Sequence, residues 1–397
     1  MDPDGPIELP PQISQDPGTD LLSTYWPAAI VLVLALFGVL LIVRAARRTG
    51  RTGPRSRRRR GWTVTAWSIP TALLVVVSLA LGVNAWVGYF PSTGALVRWV
   101  DDKVRKPVAT NDKVAIDGEK ASRNGASAPP KERVTSADRG YAYLTSVPST
   151  TRGVSTRGAW VYLPPDYDKP GNIERYPVIY TLHGAPGSAA DWFAGGRLDY
   201  YLDVLITQKK IPPVIVVSPD LNPGSERLDS EPLDLPGGPQ LESFVTEDVV
   251  GWADASLRTR PEARDRITAG MSAGGLGALV YALHSPDVFG GTVAIMPYAT
   301  PYTKEVVGDP EALRRNTPLD AIAARGGPSG QKFFLGQGDQ ETTAESTPIR
   351  DALRAQGDVT TLRVLPGLAH NWTTARTVMP YGLVWISQQL GWELPAG

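Results

Sequence analysis

A pentapeptide in the second half of the chain has the residue types and spacing of a nucleophilic serine. It reads Gly270-Met271-Ser272-Ala273-Gly274, with a short β-type run before it and a run of small residues with helical character after it. In a sharp turn between strand and helix, the two glycines avoid Cβ clashes and the serine hydroxyl projects from the sheet. The pattern predicts Ser272 as a nucleophile, with the N–H of Ala273 facing the same space. A glycine-rich packing turn is the alternative interpretation.

A serine hydroxyl is a poor nucleophile until an imidazole takes its proton, and the imidazole needs a carboxylate to fix its tautomer. The chain has three histidines. Asp339 and His370 each follow a predicted strand, and the order Ser272, Asp339, His370 matches the hydrolase arrangement. We therefore predict these three residues as a catalytic triad. Three further acids, Glu341, Glu345 and Asp351, lie close enough in sequence to take the place of Asp339.

The turn over residues 183–188, His-Gly-Ala-Pro-Gly-Ser, is the candidate for an oxyanion hole. It follows a predicted strand in the position that usually donates one N–H to the developing oxyanion. Pro186 has no N–H, so the donor would be Ala185 or Gly187, paired with the N–H of Ala273. We expect His183 to support this turn, and His284 to end the helix after the serine, where its charge suits the helix dipole.

These residues must be positioned by a sheet. Apolar β-type runs alternate with helical stretches, and residues 240–257 have apolar positions at helical spacing. Buried runs separated by helices predict an α/β fold with a mostly parallel central sheet, whose strand carboxyl ends carry the site. The predicted strands cover residues 159–163, 177–182, 214–218, 267–269, 292–296, 332–335 and 362–365.

Several motifs occur in the order seen in a known enzyme family: Tyr-Thr-Leu-His-Gly at 180–184, Glu-Asp-Val at 247–249, Arg-Thr-Arg-Pro at 258–261, the serine motif at 266–275, Ser-Pro-Asp-Val-Phe-Gly at 285–290, and His-Asn-Trp at 370–372. With them, residues 160–385 resemble the esterase D-like α/β-hydrolases, a group that includes siderophore and feruloyl esterases and actinobacterial mycolyltransferases. The resemblance implies an α/β-hydrolase fold and ester chemistry at an acyl-serine. Ala185 and Pro186 replace the glycines common in the oxyanion turn, and Asn371 replaces an expected aspartate.

The first hundred residues predict a membrane anchor. Residues 21–43 and 61–88 are two uncharged stretches, each long enough to cross a hydrocarbon core of about 30 Å as a helix. Nine arginines and no acid lie between them at 44–60, which the positive-inside rule keeps in the cytoplasm. Both flanks then face outward. A nucleic-acid patch, or a cleaved signal peptide ending near residue 85, fits this context less well.

The predicted organisation is thus a disordered acidic tail over 1–20, a transmembrane helix over 21–43, an arginine-rich cytoplasmic loop over 44–60 and a second transmembrane helix over 61–88. A juxtamembrane segment and linker over 89–138 precede an α/β-hydrolase domain over 139–397. Within 89–138, residues 90–100 are either a short amphipathic piece at the membrane surface or a plain loop.

Composition restricts the partners. The chain has no cysteine, which excludes disulfides, a thiolate nucleophile and cysteine metal sites. Removing the nine loop arginines and five tail acids from the 40 bases and 40 acids leaves 31 and 35, a mildly acidic domain with no case for nucleic acid. We expect no metal or cofactor. The oligomeric state stays open.

The predicted function is a membrane-anchored, outward-facing serine ester hydrolase acting on a small-molecule or lipid ester. A long loop over residues 221–239 follows a strand end and is expected to overhang the site. Trp192 and Trp372 lie near the motif turns, where they either contact an apolar acyl chain or pack the loops. Two different functions remain open beside hydrolysis, an acyltransferase that moves the acyl chain to a sugar or alcohol, and a non-catalytic membrane-anchored scaffold.

Overall fold

The computed structural model describes residues 2–14, 21–47, 54–94, 96–97, 135–222, 231–342 and 345–394. The chain forms two compact units: one comprises Asp16–Asp101, and the other combines Met1–Gln15 with Asp102–Gly397. Most of the predicted linker, the centre of the arginine-rich loop and residues 223–230 of the predicted overhanging loop lie outside the described residues.

The smaller unit contains a pair of apolar helices. They are α2, Trp26–Arg47, and α3, Pro54–Val87. They pack through small side chains: an added Cβ at Gly38 would lie 2.3 Å from Oγ1 of Thr71, and Ser78 Oγ donates to Ala28 O at 2.8 Å. Small residues and interhelical hydroxyl bonds of this kind are typical of helices packed in lipid. Both helices are long and apolar enough to span a membrane, by length and composition.

The helix ends differ from the predicted bounds of 21–43 and 61–88. A 3₁₀ turn occupies Leu21–Ser23, and α2 begins only at Trp26, directly before a proline, which suits a first helical turn. At the other end α2 continues to Arg47, and α3 begins at Pro54, because alanine and arginine are good helix formers. Parts of the predicted 44–60 loop are therefore helical.

The larger unit is built on one eight-stranded sheet with the order β1-β2-β4-β3-β5-β6-β7-β8. Two pairs, β1 with β2 and β2 with β4, are antiparallel, and the other pairs are parallel. The strands are β1 Tyr141–Val147, β2 Arg157–Leu163, β3 Val178–Leu182, β4 Ile215–Pro219, β5 Arg266–Met271, β6 Gly291–Ile295, β7 Lys332–Gly338 and β8 Val359–Leu365.

The mostly parallel sheet and all seven predicted strands are confirmed. Strand β1 was not predicted, because it buries alternate residues rather than a continuous apolar run. That pattern is expected of an antiparallel edge strand with one solvated face. It starts at Tyr141, two residues after the predicted beginning of the hydrolase domain at residue 139.

Helices cover both faces of the sheet. Leu279 of α8 (Ala273–His284) shares a buried cluster with Ala294 of β6, whereas an added Cβ at Gly382 of α13 (Trp372–Leu390) would lie 2.5 Å from the neighbouring Val293. Because successive strand residues point to opposite faces, α8 and α13 lie on opposite sides.

The described helices of the larger unit are α1 Pro11–Ser14, α4 Asp191–Ala194, α5 Leu198–Thr207, α6 Leu241–Ser243, α7 Val250–Ser256, α8 Ala273–His284, α9 Lys304–Val307, α10 Pro310–Asn316, α11 Pro318–Arg325, α12 Ser346–Ala355 and α13 Trp372–Leu390. A π-helical turn, Phe244–Val249, joins α6 to α7, so the helix predicted at 240–257 is also present.

The N-terminal segment differs from the prediction of a disordered tail over residues 1–20. Residues 2–14 belong to the larger unit and pack on its hydrolase part, where Ile13 is 7% exposed and Trp385 Nε1 donates to Pro3 O at 2.8 Å. Low hydrophobicity shows only that this segment cannot build a core by itself. Here the domain supplies the apolar surface that the segment lacks.

Candidate active site

The serine of the pentapeptide occupies a strained turn between β5 and α8. Ser272 has φ 56° and ψ −123°, a backbone conformation that L side chains rarely adopt. Strand β5 ends at Met271 and α8 begins at Ala273, so the strain falls on one residue. The N–H of Ser272 donates to Ile295 O at 2.9 Å, which holds the turn against β6. The predicted strand, sharp turn and helix are therefore all present.

The flanking glycines are required by the close approach of strand and helix. A Cβ added at Gly270 would lie 2.0 Å from the carbonyl oxygen of Gly274. One added at Gly274 would lie 2.4 Å from the carbonyl oxygens of both Leu182 and His183. All of these partners are backbone atoms, which cannot rotate away. The same glycines that appeared in the motif thus pack α8 against the carboxyl end of β3.

On a later loop, His370 is paired with a buried carboxylate. Nδ1 of His370 lies 2.6 Å from Oε2 of Glu341, whose side chain is fully buried while that of His370 is 33% exposed. When Glu341 is ionised it only accepts hydrogen bonds, so Nδ1 of His370 then carries the proton and the neutral ring has its lone pair on Nε2. This is the tautomer that a general base requires.

The carboxylate predicted as the triad acid is engaged elsewhere. Oδ1 of Asp339 accepts the backbone N–H of Gly367 at 2.7 Å, and the N–H of Asp339 donates to Leu365 O at 2.9 Å. Asp339 therefore clamps the loop that carries His370. Two more acids are also bound to groups outside the triad, since Glu345 accepts the N–H of Ala299 at 2.9 Å and Asp351 pairs with Arg350 at 2.8 Å. Glu341 replaces Asp339 as the candidate acid.

Asp339 directly follows a predicted strand, which is the sequence feature that favours it over Glu341. Strand β7 runs to Gly338, three residues beyond the predicted end at Leu335, and the chain then turns. The N–H of Gln340 donates to Leu368 O at 3.0 Å, so the two loops run alongside one another. This turn places Glu341, two residues after Asp339, in contact with His370. Only the turn geometry distinguishes the two acids.

The turn predicted to complete an oxyanion hole adjoins the serine. A Cβ added at Gly184 would lie 3.7 Å from Cβ of Ser272, and the chain continues through a cis peptide bond between Ala185 and Pro186. On the other side, Ala273 is the first residue of α8, and the first N–H groups of a helix have no intrahelical acceptor. Ala185 and Ala273 remain our candidates for the two donors.

The other two histidines have structural surroundings. His183 is 5% exposed; its Nδ1 lies 2.8 Å from Gly184 O and its Nε2 accepts the N–H of Leu221 at 3.0 Å. This agrees with its expected support of the turn. Nδ1 of His284 lies 2.7 Å from Oε1 of Glu242, and its Nε2 lies 2.9 Å from the carbonyl oxygen of Arg315. Neither ring presents a nitrogen to Ser272 in these arrangements.

The tryptophans near the site pack the loops together. Trp192 is fully buried and Trp372 is 7% exposed, with their ring centroids 5.3 Å apart in an edge-to-face contact. Trp192 Nε1 also donates to Leu182 O at 2.9 Å. Their burial favours loop packing over an open surface for an acyl chain. Asn371, where an aspartate was expected, caps α13 by accepting the N–H of Thr374 at 3.2 Å, a role both residue types perform.

A strained serine between a parallel strand and a helix, with a histidine and a buried acid on later loops, defines an α/β-hydrolase. The Esterase family model matches residues 154–369, more than half of the chain. The chain belongs to the Esterase family.

Two relatives share part of this region. The chain is 29% identical over 224 residues to an endo-1,4-beta-xylanase/feruloyl esterase of Xylanibacter ruminicola, which covers 54% of this chain and 27% of that protein. It is 35% identical over 144 residues to esterase Rv1288 of Mycobacterium tuberculosis, covering 36% of this chain and 28% of that protein. The chain thus spans less than a third of the length of either relative.

Solved structures agree on the fold. A ferulic acid esterase superposes with a TM-score of 0.57 at 21% identity, covering 64% of this chain and 99% of that one. An S-formylglutathione hydrolase from Agrobacterium tumefaciens gives 0.55 at 22% identity, covering 65% and 98%. The fluorophosphonate-binding serine hydrolase FphF of Staphylococcus aureus gives 0.53 at 16% identity, covering 63% and 99%.

The first prediction concerns the glycines of the serine turn. Gly270→Ala should abolish activity and destabilise the domain by more than about 3 kcal/mol, because its Cβ would overlap a backbone carbonyl. Gly251→Ala is the control, since its Cβ meets nothing within 4 Å on a helix; it should stabilise by about 0.5–1 kcal/mol. Chemical denaturation and ester turnover measure both. A folded, active Gly270→Ala protein would contradict the packing argument.

The second prediction separates the two acids. Glu341→Gln should lower kcat by ~10⁴-fold, as loss of the triad carboxylate does in serine proteases. Asp339→Asn should stay near wild type, because its amide oxygen can still accept the Gly367 N–H, whereas Asp339→Ala should lose activity through the displaced loop. The measurement is kcat and kcat/KM for the three variants. An inactive Asp339→Asn beside an active Glu341→Gln would return the acid role to Asp339.

Proposed function

We propose that this protein is a membrane-anchored serine carboxylic-ester hydrolase that works through an acyl-serine intermediate on Ser272. The observation that carries the proposal is the 2.6 Å contact between His370 and Glu341, in a chain that also holds Ser272 in a nucleophile turn. A non-catalytic scaffold would not need to keep Ser272 in a strained conformation or bury a carboxylate against a partly exposed histidine. The family assignment gives the same class of reaction.

In the proposed mechanism, Oγ of Ser272 attacks the ester carbonyl carbon while Nε2 of His370 takes its proton. Glu341 holds the imidazole by Nδ1 and stabilises the positive charge that forms on the ring. The backbone N–H groups of Ala185 and Ala273 donate to the developing oxyanion, helped by the positive end of the α8 dipole. The alkoxide then leaves with the proton from His370, so the ester C–O bond breaks and the acyl-serine remains.

The second half of the cycle reverses these roles. Water enters the site, His370 takes one of its protons, and the resulting hydroxide attacks the acyl carbon. The same two N–H donors stabilise the second oxyanion. The bond to Ser272 Oγ breaks, the proton returns to the serine, and a carboxylic acid is released. No metal or cofactor takes part in the proposed steps.

The substrate of this site is an ester of a carboxylic acid, either a small molecule or a lipid. Two of the similar proteins carry feruloyl or ferulic acid esterase in their names, which supports an aromatic acyl group as one candidate. The packed tryptophans do not supply an open apolar surface for a long acyl chain. We therefore expect short acyl or arylacyl esters to be better substrates than long-chain esters.

The membrane part of the proposal rests on α2 and α3. Their apolar windows have mean hydropathies of 2.8 and 2.0, and few of those residues are buried inside the protein. The arginines between the two apolar stretches favour a cytoplasmic connection. The proposed orientation places the hydrolase domain outside the cytoplasm, attached to the cell membrane by a helical hairpin.

The third prediction tests the nucleophile and its base. A fluorophosphonate probe should label the wild-type protein at Ser272, and labelling should disappear in Ser272→Ala and in His370→Gln, because a serine without its base is too weakly acidic to react. The combined loss of ester turnover in the double variant should not exceed that of either single variant, since the two residues act as one unit. Gel fluorescence and peptide mapping measure the labelling.

Ser285→Ala serves as the control for the labelling, because Ser285 lies at the end of α8, away from the turn. It should label like the wild type. Labelling at a serine other than Ser272, or a folded wild-type protein that neither labels nor turns over any ester, would contradict the proposal.

The fourth prediction tests orientation. A reporter after Gly397 should be accessible outside intact cells, and protease added outside should not cut within the arginine-rich stretch, because its nine positive charges oppose translocation. Protease protection and reporter activity are the measurements. A C-terminal reporter that functions only in the cytoplasm would contradict the outward orientation while leaving the ester chemistry untouched.

A further inference from the structure

The N-terminal segment, residues 2–14, binds a groove on the hydrolase domain far from Ser272 in the sheet order. The groove lies at the β8 edge, beside α12 and α13. A cavity of about 320 Å³ lies between segment and domain, and its lining includes Asp4 and Ile7 from the segment and Phe334, Arg350 and Arg363 from the domain. Segment and domain belong to one compact unit.

Asp4 makes the specific contact. Its two carboxylate oxygens accept from Nη2 of Arg354 at 2.6 and 2.8 Å, and Thr361 Oγ1 donates to Oδ1 at 3.0 Å. Partial burial opposes ionisation, but the hydrogen bonds from Arg354 and Thr361 hold the pKa of Asp4 below its usual value. Arg354 is itself held in place, because its Nε also donates to Thr360 O at 3.0 Å.

The segment provides a hydrogen-bond acceptor for a buried polar group on the domain side of the groove. Trp385 is 2% exposed, and its indole N–H donates to the carbonyl oxygen of Pro3 at 2.8 Å. A buried indole N–H that lacks an acceptor costs free energy. Burial of Trp385 therefore favours the state in which the segment is bound and Pro3 accepts this hydrogen bond. At the other end of the segment, Ile13 is buried and Tyr200 OH donates to Gln12 O at 3.3 Å.

Charge also matches across this surface. Residues 2–14 carry three acids and no base, and three arginines line the cavity. Exposed ion pairs contribute little affinity by themselves but select a partner of the right sign. The backbone contact at Pro3, the charge of the segment and the indole hydrogen bond together specify an acidic segment as the occupant.

We propose that this groove is a binding site for the protein's own N-terminal segment, which places the N-terminus and the hydrolase domain in the same membrane compartment. Between them lie the two apolar helices, and only an even number of spans leaves both ends on one side. The two helices must then both cross the membrane or both stay out of it. The inference goes beyond ester hydrolysis and holds whichever compartment contains the domain.

Because the chain has no native cysteine, only the introduced thiols can react in a disulfide-trapping experiment. In the full-length protein in its membranes, Asp4→Cys with Thr361→Cys replaces two side chains that are in hydrogen-bond contact. After mild oxidation, thiols are counted by the gel shift with a maleimide-linked polymer. We expect this pair to close intramolecularly at least about tenfold faster than a mismatched pair, because docking gives a high effective concentration.

The mismatched control pair is Glu8→Cys with Thr361→Cys. It keeps the same domain thiol and moves the segment thiol to an exposed position. Equal rates for the two pairs, or a matched pair that links only between two chains, would overturn the proposal. Fluorophosphonate labelling at Ser272 confirms that each double variant is folded, and a failed trap in labelled protein leaves the proposed function standing.

A second measurement tests the shared compartment. Single variants Glu8→Cys and Lys169→Cys place exposed thiols on the segment and on the domain; Lys169 is 63% exposed. A membrane-impermeant maleimide added to intact cells should label both or neither. Labelling of one alone would overturn the same-side arrangement, whatever the trapping result.

Discussion

The site depends on one close approach, that of the first turn of α8 to the carboxyl ends of β3 and β5. Backbone lies within 2.0–2.4 Å of where a Cβ would stand at Gly270 or Gly274, so no other residue type fits there. This approach places the strain on Ser272 and leaves the N-terminus of α8 pointing into the site. Strain of about 1–3 kcal/mol at such a residue persists because the surrounding sheet and helix over-determine it.

The second requirement is electrostatic. A carboxylate as buried as that of Glu341 is expensive to desolvate, and the contact with Nδ1 of His370 offsets part of that cost. The partly exposed ring can still gain and lose a proton during turnover. In the proposed mechanism, burial of one partner and exposure of the other divide the roles, since Glu341 orients the ring and His370 exchanges the proton with serine and water.

Much of this could be predicted from sequence, because the strongest signals are local. Turn chemistry and strand ends predict Ser272 and His370 as site residues, and continuous apolar runs predict the buried strands. The identity of the acid could not be found in this way, since Asp339 and Glu341 differ only in how a two-residue turn directs them. Strand β1 and the docked N-terminal segment were missed for a related reason. Each is stabilised by a surface that the rest of the domain provides, which composition does not record.

The central claim is that Ser272 carries the acyl group during turnover, and trapping that intermediate tests it most directly. The protein would be mixed with a slowly deacylating p-nitrophenyl ester, quenched in acid within the burst phase, and examined by intact mass and peptide mapping. The account predicts release of about one p-nitrophenol per protein in the burst, together with a mass increase equal to the acyl group on the peptide containing Ser272. Steady hydrolysis with no acyl group on that peptide, or with the acyl group on another residue, would contradict it.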